Sequence, residues 1–174
     1  MRKRKHRYLK GVLAGMIGGF VGSWTMNQFS SGVGQLEKKW QASEGNGQPG
    51  KSDSNADEAA TTLLAQRISQ AVRGRKLTDN EKKTAEPIVH YGFGTLVGGL
   101  YGFLNEVTPL TRKGAGAAYG TAVWLGGDEI AVPALELSKP SLSYPLGVHA
   151  QALASHLVYG FTSEGVRRGI RALL

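Results

Sequence analysis

Residues 87–106, PIVHYGFGTLVGGLYGFLNE, constrain this chain more than any other stretch. They are apolar apart from His90 near the start and Asn105 and Glu106 at the end. A helix needs roughly 20 such residues to cross a hydrocarbon layer. Gly94, Gly98 and Gly102 recur every four residues, so they line one helical face, and His90 and Glu106 fall on the same row. A mid-helix glycine costs about 1 kcal/mol in water. In a bilayer it lets a second helix approach closely. The pattern predicts a membrane-crossing helix packed through its glycine face.

The same spacing returns elsewhere. Gly11, Gly15, Gly19 and Ser23 mark residues 11–29, and Gly116 and Gly120 mark residues 114–137. A fourth apolar run covers residues 146–165. The expected fold is an all-α, polytopic integral membrane protein. Its four transmembrane helices, 11–29, 87–107, 114–137 and 146–165, would pack through Gly-xxx-Gly faces. A basic N-terminal segment (1–10), an extracytoplasmic helical loop (30–86) and a basic tail (166–174) complete the plan. A cleaved signal peptide is the alternative for the first span. No Ala-x-Ala site follows it, however, and a cleaved signal would have no use for a small-residue face.

Charge supports this plan and argues against nucleic acid. The net charge is +8, and the mean hydropathy is −0.22. Arg2, Lys3, Arg4, Lys5, Arg7 and Lys10 stand at the start, and Arg167, Arg168 and Arg171 at the end. Basic clusters flanking apolar runs are explained by cytoplasmic anchoring on anionic lipid. No basic face with interleaved aromatics is present. With Arg112 and Lys113 in a short loop, the distribution places both termini in the cytoplasm. There is no cysteine, which excludes disulfides, thiolate catalysis and cysteine-based metal sites.

Within residues 30–86, residues 43–55 read as a loop rich in Gly, Ser, Asn and Asp. Residues 57–73 read as a helix. Ala60, Leu64, Ile68, Ala71 and Val72 form its apolar stripe, Asp57 and Glu58 its acidic first turn, and Gly74 its stop. Thr78 followed by Glu81 is a capping-box signature for a second helix start. Pro87 would be either a kink in that helix or the start of the membrane segment.

An ionisable residue at membrane depth is a candidate for function. His90, Asp128, Glu129, His149 and His156 form the candidate cluster. His149 and His156 are two helical turns apart and share a face. Such a set could relay protons, because imidazole titrates near neutrality and burial raises a carboxyl towards it. It could instead hold a transition metal, or only hydrogen-bond across helices and set their register. No HExxH-type spacing supports a metal site, and no cofactor is expected. Asp128 and Glu129 are the sharpest signal. Gly126 and Gly127 before them and Pro133 after them suggest a broken helix lining a cavity; alternatively the span ends at Gly127 and both acids are interfacial. Glu106 and Glu164 say less, Glu164 making an ordinary pair with Arg168. The dinucleotide, Walker and nucleophile-elbow motifs are missing, so the chain is not expected to be an enzyme.

The C-terminal half, from about residue 87, resembles the YagU-like family of bacterial inner-membrane proteins, whose function is unknown. The resemblance rests on the Gly-rich start at Gly114, the position near Asp128, Pro133, and the sequence Ala154-Ser155-His156-Leu157-Val158 followed by Glu164 and Arg167-Arg168. Where that family often carries His in the third span, this chain has Asp128-Glu129. The resemblance implies an inner-membrane location and a contribution to acid tolerance. Two functions are therefore expected: proton or ion handling linked to acid or envelope stress, or a structural accessory subunit. The latter would use its glycine faces to dock other membrane proteins or copies of itself. The expected partners are the lipid bilayer and such chains, with no nucleic acid.

Overall fold

The computed structural model describes residues 2–43, 59–108 and 114–174. These residues are almost all helical: α1 (Arg2–Ser43), α2 (Ala60–Arg73), α3 (Asp79–Val107), α4 (Ala117–Val123), a π-helical stretch (Trp124–Ala131), α5 (Val132–Ala134), a 3-10 turn (Ser141–Ser143) and α6 (Leu146–Leu173). The loop expected over residues 43–55 lies mostly outside the described residues. So do Asp57, Glu58, Arg112 and Lys113.

The four-span expectation is overturned. Among the described residues, no helix is long and apolar enough to cross a membrane. The all-α part of the expectation holds. The residues that build the packing faces explain the failure. Glycines, tyrosines and His90 interrupt the apolar side chains of α3, and the basic residues at its start are continuous with the rest of α1.

The glycine faces meet one another inside the chain. α1 and α3 run antiparallel, with Gly11, Gly15 and Gly19 set against Gly102, Gly98 and Gly94. A methyl group added to Gly15 would overlap the carbonyl oxygen of Gly98 and lie 2.8 Å from Gly102 Cα. At such closeness only hydrogen fits, and Cα–H groups rest on carbonyls across the interface. The opposite side of α1 uses Gly18 and Gly22 against Tyr159 and Ser163 of α6. α4 approaches α6 through Gly116 and Gly120, which lie on Gly160 and His156. α1 is thus the central helix, flanked by α3 and α6, with α4 packed on α6 and its Tyr119 reaching Tyr101 of α3.

The interior is small and polar. Ser23, Asn105, Ser155, His156, Ser163, Glu164 and Arg167 are buried, with Ala14, Tyr101 and Tyr159. Large apolar side chains face outward instead: Leu13, Ile17, Phe20 and Trp24 on α1, and Leu96 and Leu100 on α3. α2 follows the same rule. Its expected apolar stripe is turned out at Ile68 and Val72, while Thr62, Ala65 and Ser69 are buried.

Local signals set the helix ends. α2 stops at Gly74 with φ 69°, a left-handed C-cap that glycine adopts without strain. α3 starts in a full capping box: Thr78 N–H donates to Glu81 Oε2 at 2.8 Å, and Glu81 N–H donates to Thr78 Oγ1 at 3.4 Å. The Arg75 guanidinium and the Thr78 donors hold the Glu81 carboxyl down to about 2. Pro87 sits inside the continuous α3.

Candidate functional site

Asp128 and Glu129 stand in the middle of the π-helical stretch that follows Gly120. A π-turn widens the helix by one residue per hydrogen-bonded ring and is frequent at functional sites. The five ionisable residues singled out from the sequence divide here into two groups.

The outer group is Glu129 with His149. His149 Nδ1 stands 2.6 Å from Glu129 Oε1, and Nε2 stands 3.0 Å from the Ser141 carbonyl oxygen. Both ring nitrogens therefore face acceptors, an arrangement that suits the doubly protonated imidazolium. The Glu129 hydrogen bond accordingly raises the His149 pKa, with the backbone carbonyls adding to it. Ser141 Oγ donates to the Glu129 carbonyl at 3.0 Å and ties the 3-10 turn to the π-helix.

The inner group is Asp128, His156 and His90. They line a cavity of about 230 Å³ between α1, α2, α3, α6 and the π-helical stretch. Its walls include Met26, Leu64, Phe93 and Leu135, with Tyr159 at one side. His156 is buried, and its Nδ1 stands 2.9 Å from the Ala152 carbonyl and 3.6 Å from Asp128 Oδ2. The carbonyl accepts, so Nδ1 carries the proton that also faces the carboxylate. His90 Nε2 is buried with no hydrogen-bond partner among the described residues. The Asp128 side chain is 44% exposed and lines this largely apolar-walled space. Desolvation therefore pushes its carboxyl up, against the pull of His156 and His90 and with a smaller push from Glu129.

A line of tyrosines leads from the cavity into the bundle. Tyr159 donates to the Gly94 carbonyl at 2.7 Å, and its oxygen accepts from Tyr119 at 2.8 Å. The Tyr119 ring stacks on Tyr101, with centroids 3.9 Å apart. Burial raises the Tyr159 and Tyr119 hydroxyl pKa values, so both stay protonated. Read from the sequence, these tyrosines are only core or interfacial anchors. Their mutual contact depends on the close approach of α4 to α6.

At the other end of the bundle, two buried carboxylates collect arginines from three directions. Glu164 Oε2 accepts from Arg167 Nε at 2.6 Å, while its Oε1 accepts from Arg167 Nη2 at 2.9 Å and from Arg168 Nε at 2.5 Å. Glu106 accepts from Arg171 Nε at 2.6 Å and lies 3.5 Å from Arg7 Nε. Despite burial, the Arg167 and Arg168 guanidiniums hold Glu164 below the ordinary carboxylate range. The Arg168 pair is legible from its spacing. The Arg167 pair, one residue closer, is the buried one, and the sequence reading missed it.

Among the described residues, no group of three or more His, Cys, Asp or Glu side chains could hold a metal ion. Comparison with known families matches residues 57–165 to one described as "Protein of unknown function (DUF1440)". The chain belongs to the DUF1440 family. The DUF1440 match includes His90, Asp128, Glu129, His149, His156 and Glu164, and stops before Arg167, Arg168 and Arg171. The central helix α1 also lies outside it. No curated protein and no solved structure matches the chain.

Proposed function

We propose that this DUF1440 protein is of the YagU-like kind and handles protons, in a role linked to acid stress, through the Asp128–His156–His90 group in its interhelical cavity. The observation that carries the reading is the pairing of Asp128 Oδ2 with the buried His156 Nδ1 at 3.6 Å, beside the unpartnered Nε2 of His90. A carboxyl and two imidazoles around one cavity can share a proton and pass it on, because burial raises the proton affinity of the carboxyl. The groups facing Asp128 are His156 on α6, His90 on α3 and Glu129 on its own π-helical stretch. Tyr159 on α6 lines the same cavity. The Glu129–His149 pair lies outside the cavity and fixes the π-helix to the start of α6.

The test is a carbon- and nitrogen-detected NMR titration of the Asp128 carboxyl and the His90 and His156 rings. Coupled titration is expected, with the imidazole midpoints shifting in Asp128→Asn. Independent titration, with both imidazoles indifferent to Asp128→Asn, overturns the reading.

A second reading, an accessory subunit that docks another chain or a copy of itself, draws on a separate observation. Leu13, Ile17, Phe20 and Trp24 form one exposed apolar face of α1. Contiguous exposed apolar surface marks interaction sites. The glycine faces themselves are covered within the chain, so docking would use this outer face. Crosslinking of the intact protein in cells tests it, and a product that stays strictly monomeric counts against it.

A further inference from the structure

The cavity between α1, α2, α3, α6 and the π-helical stretch is larger than a proton relay needs. Its volume is about 230 Å³. An apolar cavity of ~150 Å³ accepts one benzene molecule. Drug-sized ligands fill pockets of roughly 300–1,000 Å³. The space therefore suits a single small molecule, one ring with a short arm.

The lining sets the chemistry of that molecule. Met26, Leu64, Phe93 and Leu135 give apolar walls. Asp128 is the sole Asp, Glu, Lys or Arg side chain among the described lining residues. At 44% exposure, it is within reach of a molecule arriving from solvent. His156 Nδ1 lies 3.6 Å from Asp128 Oδ2, too far for a hydrogen bond, and donates instead to the Ala152 carbonyl. Among the described residues, the Asp128 carboxyl makes this ion pair and accepts no hydrogen bond. A carboxylate so placed costs free energy until a cation approaches it. An ammonium brings a full positive charge and up to three N–H donors. An anionic ligand would meet Asp128 as a like charge.

We propose that this cavity binds a small organic cation, its ammonium group on Asp128 and its apolar body against Met26, Leu64, Phe93 and Leu135. The proposal deepens the proton-handling reading and rests on its exchangeable Asp128 proton. On binding, the Asp128 O–H bond breaks and the proton passes to solvent water. The carboxylate left behind accepts from the ammonium N–H. Proton and cation therefore exchange at one carboxyl. The groups facing Asp128 are His156 from α6, His90 from α3 and Glu129 from its own stretch, with Tyr159 of α6 on the same cavity. α1 and α2 contribute no titratable side chain to the lining. An imidazolium at His90 or His156 repels the ammonium, so loss of those protons strengthens binding further.

The test titrates benzylammonium into the full chain, with benzyl alcohol as its neutral counterpart. NMR follows the Asp128 carboxyl carbon and the Phe93 ring. A saturable shift with benzylammonium is expected. One proton is displaced, so affinity should rise up to about tenfold per pH unit while Asp128 is protonated. Benzyl alcohol should bind about tenfold more weakly, the scale of one charge-assisted hydrogen bond, and without that pH dependence. Asp128→Asn should bring the two ligands level. The alcohol comparison needs no variant, so it decides the matter even if Asp128→Asn does not fold. No saturable shift, equal binding of both ligands by the wild type, or pH-independent benzylammonium binding overturns the proposal. Imidazoles that titrate together without any benzylammonium response overturn the cation site and leave the proton relay standing. Imidazoles that titrate independently beside pH-dependent benzylammonium binding uphold the cation site and overturn the relay.

Discussion

Glu164 and Arg167 form a two-pronged ion pair inside the helical bundle, with Nε and Nη2 of the arginine 2.6 and 2.9 Å from the two carboxylate oxygens. Both side chains are almost wholly buried, at 2% and 6% exposure. They stand three residues apart on α6, beneath the Tyr101 ring of α3, which lies 6.0 Å from the guanidinium carbon.

Removing one partner strands the other. Glu164→Gln is expected to destabilise the protein by roughly 3–5 kcal/mol, the cost of a buried charge left without its counter-charge. Replacing both, as in Glu164→Gln with Arg167→Met, should recover most of the loss, because no buried charge is left uncompensated and Arg168, the other partner of Glu164, is largely exposed. Denaturant unfolding of the wild type and the two variants measures both values. Equal loss in the single and double variants would show that the pair matters for something besides charge compensation.

Some glycines touch a neighbouring backbone and others touch nothing. Gly15→Ala places a methyl group against Gly98 and Gly102 and is expected to cost about 3 kcal/mol, because backbone cannot move aside as a side chain can. Gly92 lies in the same α3 face-bearing helix with open space around it. There, alanine should gain up to about 1 kcal/mol from helix propensity alone. Thermal unfolding of the two variants should move in opposite directions.

Asp128 and His149 both make stability fall as pH rises, whereas the depressed carboxyls of Glu81 and Glu164 act in the opposite direction below 4.5. Asp128 holds its proton more tightly in the folded chain than its ordinary value of 3.8, through burial. Its contribution is complete below that value and is lost as pH rises through the raised folded value. His149 is raised above 6.5, chiefly by its hydrogen bond to Glu129. Its contribution is complete below 6.5 and is lost as pH climbs through its own folded value. Asp128→Asn should remove the acid-side change and Glu129→Gln the one that begins at 6.5. Unfolding midpoints collected across pH read each window separately. A slope in either window that is unchanged by the matching substitution contradicts the assignment for that group.

Some of this architecture is local and could be read directly. Thr78 and Glu81 announce a helix start because a capping box needs only residues three apart. Gly74 announces a stop because its left-handed φ belongs to glycine. The every-fourth-residue glycines identify the faces along which helices meet. The same residues mislead about surroundings. Reading them as lipid-crossing faces gave too little weight to His90, Tyr91, Tyr101, Asn105, Glu106 and the glycines themselves, which leave α3 short of the apolarity a membrane crossing needs. The buried face of α2 was misread for a related reason. Where partners approach closely, small Thr62, Ala65 and Ser69 fit inside and large Ile68 and Val72 do not.

The candidate site is legible as a set of residues but not as an arrangement. Asp128 and Glu129 stand out because adjacent acids in an apolar run are hard to place. Their separation into a cavity group with His156 and His90 and an outer pair with His149 depends on the π-helical winding, which no spacing rule announced. The burial of Arg167 and its pairing with Glu164 escaped notice because that burial comes from α1 and α3, far away in sequence.

What the sequence by itself determined is periodicity: which residues share a face, where helices begin and end, and which residue types can titrate. Those properties follow from neighbours within one or two turns. Only the tertiary structure decided which glycine face meets which, that the acids part company, and that polar groups lie inside while large apolar ones lie outside. Such choices are made between segments distant in the chain, where closest approach of backbones and the pairing of buried charge outweigh local preference.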